Sequence, residues 1–245
     1  YGFLYDSISF LDRLNSFSPY GRVIIETSPG SALQLYYTEG APHLRQPGSD
    51  ALGQAASDLA VFPRLSVRNG ALAIQRGRHI EASFHRNFGK TTLAQAGVFR
   101  DQVSNLALNS SVRGDPLPDF LPDVFSQQHA FNSGDHQTMG VRAAVQHQLS
   151  ESVQTTLAYT YPGALAPERY TLLSQRPDEL RNILRMQKRH ALAAKLAANV
   201  PVTGTRVFAA YKWVLGTAVS PVDMYDESFG HADPNLSIVI RQPLP

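Results

Sequence analysis

Apolar and polar residues alternate along several stretches of this chain, each about ten residues long. In residues 139–149, the odd-numbered positions carry the apolar residues Met139, Val141, Ala143, Val145 and Leu149. The even-numbered positions carry the polar residues Arg142, Gln146 and Gln148. A period of two is that of an extended strand, whose successive side chains point to opposite faces, and it does not fit a helix. These stretches predict long β-strands with one apolar face and one polar face.

Short turns and long loops separate the alternating stretches in a regular order. The short turns are residues 28–31, 87–90, 149–152 and 202–205. The long loops are polar, rich in proline and glycine, and cover roughly residues 41–77, 109–136, 162–187 and 217–233. Short turns at one edge and long loops at the other indicate an all-β, antiparallel, up-and-down transmembrane β-barrel segment of about nine long strands.

Two hairpins carry the pattern most strongly: residues 139–149 with 153–161, and residues 190–200 with 205–215. The residues predicted to share the apolar face are Val141, Ala143, Val145, Leu157, Leu192, Leu196, Val207 and Ala209. The polar face is predicted to carry Glu81, His85, Arg142, Gln146, Lys195, Arg206 and Lys212. Each strand of these two hairpins is long enough to cross a bilayer, because a tilted strand crosses it with about ten residues.

Aromatic residues near the strand ends indicate that the apolar face contacts a membrane. Tyr159, Tyr161, Tyr211 and Trp213 lie where strands enter long loops, and Phe88 lies beside a short turn. Tyr and Trp favour the headgroup zone of a bilayer. We therefore predict that the apolar face contacts outer-membrane lipid. The alternative is a soluble β-sandwich, a binding or scaffold domain whose apolar face would pack on a second sheet.

Composition removes several other classes of function. A formal net charge of +2, spread along the chain, argues against nucleic-acid binding. The absence of cysteine excludes disulfides, thiolate metal sites and cysteine nucleophiles. No run approaches the roughly 18 apolar residues of a membrane-spanning helix.

Motifs for catalysis and for cofactors are weak. Residues 89–92, GKTT, resemble the end of a phosphate-binding loop, but Phe84 stands where that motif requires glycine. His79, Glu81 and His85 share the predicted polar face and could hold a metal, although a solvated face explains them better. The dipeptide Asp135-His136 is half of a catalytic pair at most. We expect no enzyme activity, no cofactor and no metal.

Three segments fall outside the long strands. Residues 64–76 could form a small hairpin about Asn69-Gly70 inside the first loop. Pro177, Asp178 and Glu179 precede Leu180 and predict one short helix. Residues 1–18 are apolar and aromatic without a period, and no element is assigned to them.

Two segments resemble the barrel hairpins of TonB-dependent outer-membrane receptors. Residues 78–90, RHIEASFHRNFGK, give an amphipathic strand with Glu and a Phe-Gly turn. Residues 96–106, AGVFRDQVSNL, give a strand that ends in an aromatic, a basic residue and Asp before a long loop. Residues 140–161 and 205–213 are similar in style.

The resemblance implies a transport protein of the bacterial outer membrane that takes up a scarce nutrient, such as a metal chelate or a glycan. Such receptors have 22 strands and a plug domain, so residues 1–245 would form a partial barrel without the plug. The implied partners are membrane lipid, the rest of the barrel and its plug, the TonB complex and a small-molecule ligand of unknown identity and binding site. The implied orientation puts the short turns in the periplasm and the long loops outside the cell.

Overall fold

The structure is a computed structural model of the chain. It describes residues 1–9, 13–40, 65–110, 119–122, 129–168, 176–220 and 236–242. The elements in these ranges are β1 (Gly2–Ser9), β2 (Arg13–Ser28), β3 (Ser31–Gly40), β4 (Leu65–Arg68), β5 (Ala71–Ile74), β6 (Arg76–Phe88), β7 (Thr92–Ser104), β8 (Ala107–Ser110), β9 (Phe120–Pro122), β10 (His129–Asn132), β11 (His136–Ser150), β12 (Val153–Thr160), β13 (Gly163–Pro167), α1 (Pro177–Ile183), β14 (Leu184–Lys188), β15 (Ala191–Val200), β16 (Thr205–Val214) and β17 (Leu236–Arg241).

Ten of the described strands form one antiparallel sheet, in the order β1-β2-β3-β6-β7-β11-β12-β15-β16-β17. Neighbours in this order are also neighbours along the chain, apart from the short strands within the loops. The sheet is therefore an up-and-down meander, and the all-β, antiparallel prediction is confirmed. β1 and β17 are its two outermost strands and do not pair with each other, so the described strands make an open sheet. Within the described ranges, no helix is long and apolar enough to cross a membrane.

The four predicted short turns join β2 to β3, β6 to β7, β11 to β12 and β15 to β16. Gly30, Gly89 and Gly204 lie in three of them with φ of 78°, 67° and 68°, a region that glycine adopts without steric cost. The last turn covers residues 201–204, one residue earlier than predicted. All four turns lie at the same edge of the sheet, called here the turn edge. The opposite edge, called the loop edge, carries the long connections.

The main sheet has one strand more than the nine predicted, because the aperiodic segment 1–18 forms β1 and the start of β2. Gly2 pairs with Tyr20 and Ser9 with Arg13 across these strands. The sequence GFLYDSIS has apolar residues on both parities, so alternation gave no sign of this strand. Backbone pairing with β2, the next strand along the chain, forms it instead.

The two faces of the sheet have an unusual polarity. In β6, buried and exposed residues alternate, and the buried ones are polar: His79, Glu81 and Ser83 are 1%, 5% and 1% exposed. Ile80 and Phe84, on the opposite face, are 48% and 43% exposed. The polar face is called here the inner face and the apolar face the outer face. A water-soluble sheet has the opposite arrangement, with its apolar face buried.

The described parts of the long connections form a cap at the loop edge. They contain a three-stranded sheet, β8-β10-β9, and the two-stranded sheets β4-β5 and β13-β14. A hydrophobic cluster joins two of the connections to the end of β7, and Val219 of a third connection packs against it; the cluster contains Val103, Leu106, Leu108, Phe120, Phe131, Leu165, Leu180 and Leu184. The cap thus has a core of its own.

Two predictions for this region are confirmed. β4 and β5 form a hairpin around Asn69 and Gly70, which both have positive φ, as a two-residue turn requires. Pro177–Ile183 is a helix with Pro177 and two acidic residues in its first turn.

Candidate functional site

The inner face holds a buried group of charged residues on three adjacent strands. His79 of β6 lies directly across from Asp101 of β7. Its Nδ1 is 2.5 Å from Asp101 Oδ1, and its Nε2 is 3.1 Å from Glu81 Oε2. Both ring nitrogens of His79 therefore face carboxylates. This group and Arg142 are called here the inner charge cluster.

Arg142 completes the cluster from β11. Its Nη1 lies 3.1 Å from Glu81 Oε2, and its guanidinium carbon lies 4.6 Å from the centre of the Phe99 ring. A cation over an aromatic face gains electrostatic attraction, which grows when water is excluded. Arg142 thus joins the hairpin β6-β7 to the next hairpin through one ion pair and one ring contact.

Two glycines make room for these large side chains. A Cβ on Gly140 would lie 2.5 Å from Cζ of Phe99, and one on Gly97 would lie 2.7 Å from Cβ of Ser83. Real Cβ atoms do not approach so closely, so the Phe99 ring could not keep its place beside a larger residue at 140. The glycines let the inner face hold Phe99 and Arg142 side by side.

The burial of the cluster decides what it can do. His79, Asp101 and Glu81 are at most 5% exposed, so removing their charges from water is costly unless they are paired. Two carboxylates face one guanidinium and one imidazole, which satisfies this requirement. Within the described ranges, no group of three or more His, Asp or Glu residues is arranged to hold a metal ion. The arrangement links strands electrostatically.

The sequence analysis grouped His79 with Glu81 but missed Asp101. A signal for it was present in the hairpin register. Counting nine residues back from Phe88 and nine forward from Thr92 pairs His79 with Asp101. Arg142 was predicted on the polar face, but its contact with Glu81 depends on the pairing of β7 with β11 across a long loop, which the sequence does not define.

The structure brings all eight residues predicted on the apolar face to the outer face. Val145 pairs with Leu157, Leu192 with Trp213, and Leu196 with Ala209, so these side chains form continuous cross-strand rows. The exposed fractions of Val141, Val145 and Leu157 are 43%, 44% and 57%. The remaining members are Ala143, Leu192, Leu196, Val207 and Ala209, and the registers place them in the same or adjacent rows.

The five predicted interface aromatics also lie on the outer face, or continue it past a strand end. Tyr159 donates or accepts a hydrogen bond with His190 Nδ1 at 2.8 Å, and the Tyr161 ring stacks on His190 at 4.4 Å. Trp213 and Tyr211 lie on β16 towards the loop edge, whereas Phe88 ends β6 at the turn edge. The aromatics therefore occur near both ends of the apolar rows.

The residues of two weak motifs, Asp135-His136 and residues 89–92, have structural roles in the fold. Asp135 Oδ1 accepts a hydrogen bond from the backbone of Asn105 at 2.9 Å, and His136 Nε2 is 3.1 Å from the carbonyl of Ser133. Residues 89–91 are a turn that leads into a strand, whereas a phosphate-binding loop leads into a helix. Both motifs stabilise connections between strands.

Asn132 ties the cap together. Its Nδ2 donates to Ser66 Oγ at 3.0 Å and to Asn105 Oδ1 at 3.1 Å, while its carbonyl accepts from Arg181 Nε at 2.6 Å. The fourth connection joins through Ser220, whose Oγ accepts from the backbone of Leu165 at 2.9 Å. The long connections thus form one interlocked surface beyond the loop edge.

Comparison of the chain with protein-family models, with curated proteins and with solved structures found no match. The functional proposal therefore rests on the faces of the sheet, the inner charge cluster and the cap.

Proposed function

We propose that this chain is part of an outer-membrane β-barrel with a receptor-like role, similar to a TonB-dependent transporter. In this proposal the outer face contacts lipid, the inner face lines the barrel lumen, and the cap meets a small-molecule ligand outside the cell. A plug domain and an inner-membrane TonB complex would supply the transport step. The protein is a conduit without enzyme activity or cofactor.

The polarity of the sheet is the observation that carries the proposal. Large apolar side chains stay exposed along the outer face, including Val98 at 57% and Ile238 at 60%. Soluble monomers rarely expose contiguous apolar patches of more than a few hundred Å². Transmembrane barrels alternate apolar residues towards lipid with polar residues towards the lumen, which is the pattern of β6 and β11.

The strand lengths support the same conclusion. β6 and β7 have 13 residues each and β11 has 15. A tilted strand crosses the hydrocarbon core with about 9–11 residues. These strands therefore extend beyond the bilayer at the loop edge, where the cap begins.

The soluble β-sandwich requires a second sheet over the outer face. None of the described elements covers that face, since residues from Leu35 on β3 to Ile240 on β17 remain exposed there. A sandwich remains an outcome of the experiment that follows.

Membrane localisation and sidedness test the proposal together. The chain has no cysteine, so single-cysteine variants of the full-length protein, in a background free of other cysteines, report one site each. Asn182→Cys lies on α1 in the cap, and Val202→Cys lies in a turn where the native side chain is 93% exposed. In whole cells a membrane-impermeant maleimide should label Asn182→Cys, and it should label Val202→Cys only after the outer membrane is permeabilised.

The cysteine-free parent is the control for background labelling. Recovery of the protein in the soluble fraction would contradict the proposal and favour the sandwich. Equal labelling of both variants in intact cells would contradict the assigned orientation.

A further inference from the structure

A basic groove lies on the outer face at the loop edge, just beyond the apolar rows. It consists of two adjoining pockets that share Arg100 and Ile80: Arg78 lines one of them, and Lys188 and Met139 line the other. We propose that these three basic residues bind the phosphate group of an anionic membrane lipid in the leaflet next to the cap. This inference rests on the proposed membrane location of the outer face.

The strand register brings the two arginines together. Arg78 pairs with Gln102, and Arg100 pairs with Ile80, so the arginines occupy diagonal positions on β6 and β7. Side chains of this length reach each other across such a diagonal. Two like charges at this separation repel, and an anion between them removes the repulsion.

Lys188 adds a third cation from the cap. It lies at the end of β14, its ammonium group donates to the carbonyl of Met139, and it lies 5.8 Å from the centre of the Tyr161 ring. Met139 is the outer-face neighbour of Arg100 on β11. The groove between Arg100 and Lys188 has a volume of about 430 Å³.

One carboxylate compensates part of this charge. Glu39 accepts from Arg78 Nε at 3.2 Å and from Nη2 at 3.3 Å. Among the described residues, no hydrogen bond or ion pair involves the exposed Arg100 guanidinium. Within the described part of the chain, three cations therefore face one carboxylate, and Arg100 is the cation best placed to take a further anion.

The surroundings select a lipid as the source of that anion. Ile80, Val98 and Val141 form the apolar lining next to the basic residues, and they continue into the rows of the outer face. An acyl chain can lie on these side chains while its headgroup phosphate contacts the guanidinium groups. Basic pockets at the membrane surface bind anionic headgroups, at about 1 kcal/mol for each Lys or Arg.

Lipid binding to the detergent-solubilised full-length protein tests the inference. Phosphatidylglycerol and phosphatidylcholine with identical acyl chains are titrated separately, and bound lipid is counted by native mass spectrometry. Phosphatidylglycerol should bind more tightly. Arg100→Gln and Lys188→Gln should each weaken its binding by about fivefold, with little effect on phosphatidylcholine.

Arg86→Gln is the matched control, because Arg86 is an exposed arginine on the outer face of the same strand β6, near the turn edge. It should leave binding of phosphatidylglycerol unchanged. Equal binding of the two lipids, or an equal loss in Arg86→Gln and Arg100→Gln, would overturn the inference. Full competition by inorganic phosphate at the lipid concentration would show a free-phosphate site and also overturn it.

The failures of the two proposals are distinguishable. A protein that stays soluble without detergent contradicts the membrane location, and with it this inference. A protein that requires detergent but does not prefer phosphatidylglycerol contradicts the lipid site alone.

Discussion

Val145→Arg and Leu196→Arg are each expected to lower the free energy of unfolding by about 2–4 kcal/mol in a bilayer. Both residues lie on the outer face with exposed fractions of 44% and 38%. A guanidinium at this position would have to leave water for the hydrocarbon core, and no carboxylate lies in its cross-strand rows: Leu157 and Ala94 flank Val145, and Thr155 and Ala209 flank Leu196. Urea unfolding of the full-length protein in lipid vesicles measures the effect.

Gln146→Arg is the matched control for Val145→Arg. Gln146 is the next residue of β11 and lies on the inner face, in the same row as Thr156 and Leu93. Because its neighbourhood is polar and open to solvent, the cost should stay within about 0.5 kcal/mol. Tolerance of both outer-face arginines would contradict contact with lipid. A loss as large in Gln146→Arg would point instead to crowding of β11.

Glu81→Ala is expected to cost about 3–5 kcal/mol, the range for removing one partner of a buried ion pair. The substitution leaves the Arg142 guanidinium, whose side chain is 10% exposed, without its carboxylate at 3.1 Å. It also removes the Glu81 contact of His79 Nε2. The free energy of unfolding in urea measures the loss.

Two comparisons sharpen this prediction. The double variant Glu81→Ala with Arg142→Met should be more stable than the sum of the single losses implies, by about 1–3 kcal/mol, because it also removes the buried guanidinium that has lost its Glu81 contact. Glu39→Ala breaks the exposed pair with Arg78, whose side chains are 31% and 47% exposed, and should cost about 0–1 kcal/mol. Equal losses in Glu81→Ala and Glu39→Ala would contradict a buried charge cluster.

Much of the main sheet could be predicted from local sequence. Alternation identified the faces of β6, β11, β15 and β16, because one parity in each is consistently apolar. Short turns define the register within each hairpin, and three of the four contain a glycine with positive φ. Asn69-Gly70 predicted the small hairpin in the first loop for the same reason.

The remaining structure depends on contacts between distant segments. β1 is the exception, because it has no alternation although it pairs with β2, the next strand along the chain. The contact of Arg142 with Glu81 requires the register of β7 on β11, which are separated by a connection of about thirty residues that no local turn constrains. The cap depends on side chains such as Asn132, which contacts three other segments of the chain. Such contacts leave no periodic signal.

The central claim is that the outer face contacts lipid, and a depth-resolved fluorescence measurement tests it most directly. Val145→Cys and Gln146→Cys of the full-length protein carry the same environment-sensitive fluorophore and are reconstituted in vesicles whose lipids bear a nitroxide on the acyl chain. We expect strong quenching and a blue-shifted emission for the label at position 145. The label at position 146 should instead be quenched by aqueous iodide. Equal quenching by lipid nitroxide at both positions, or none at position 145, would contradict the account.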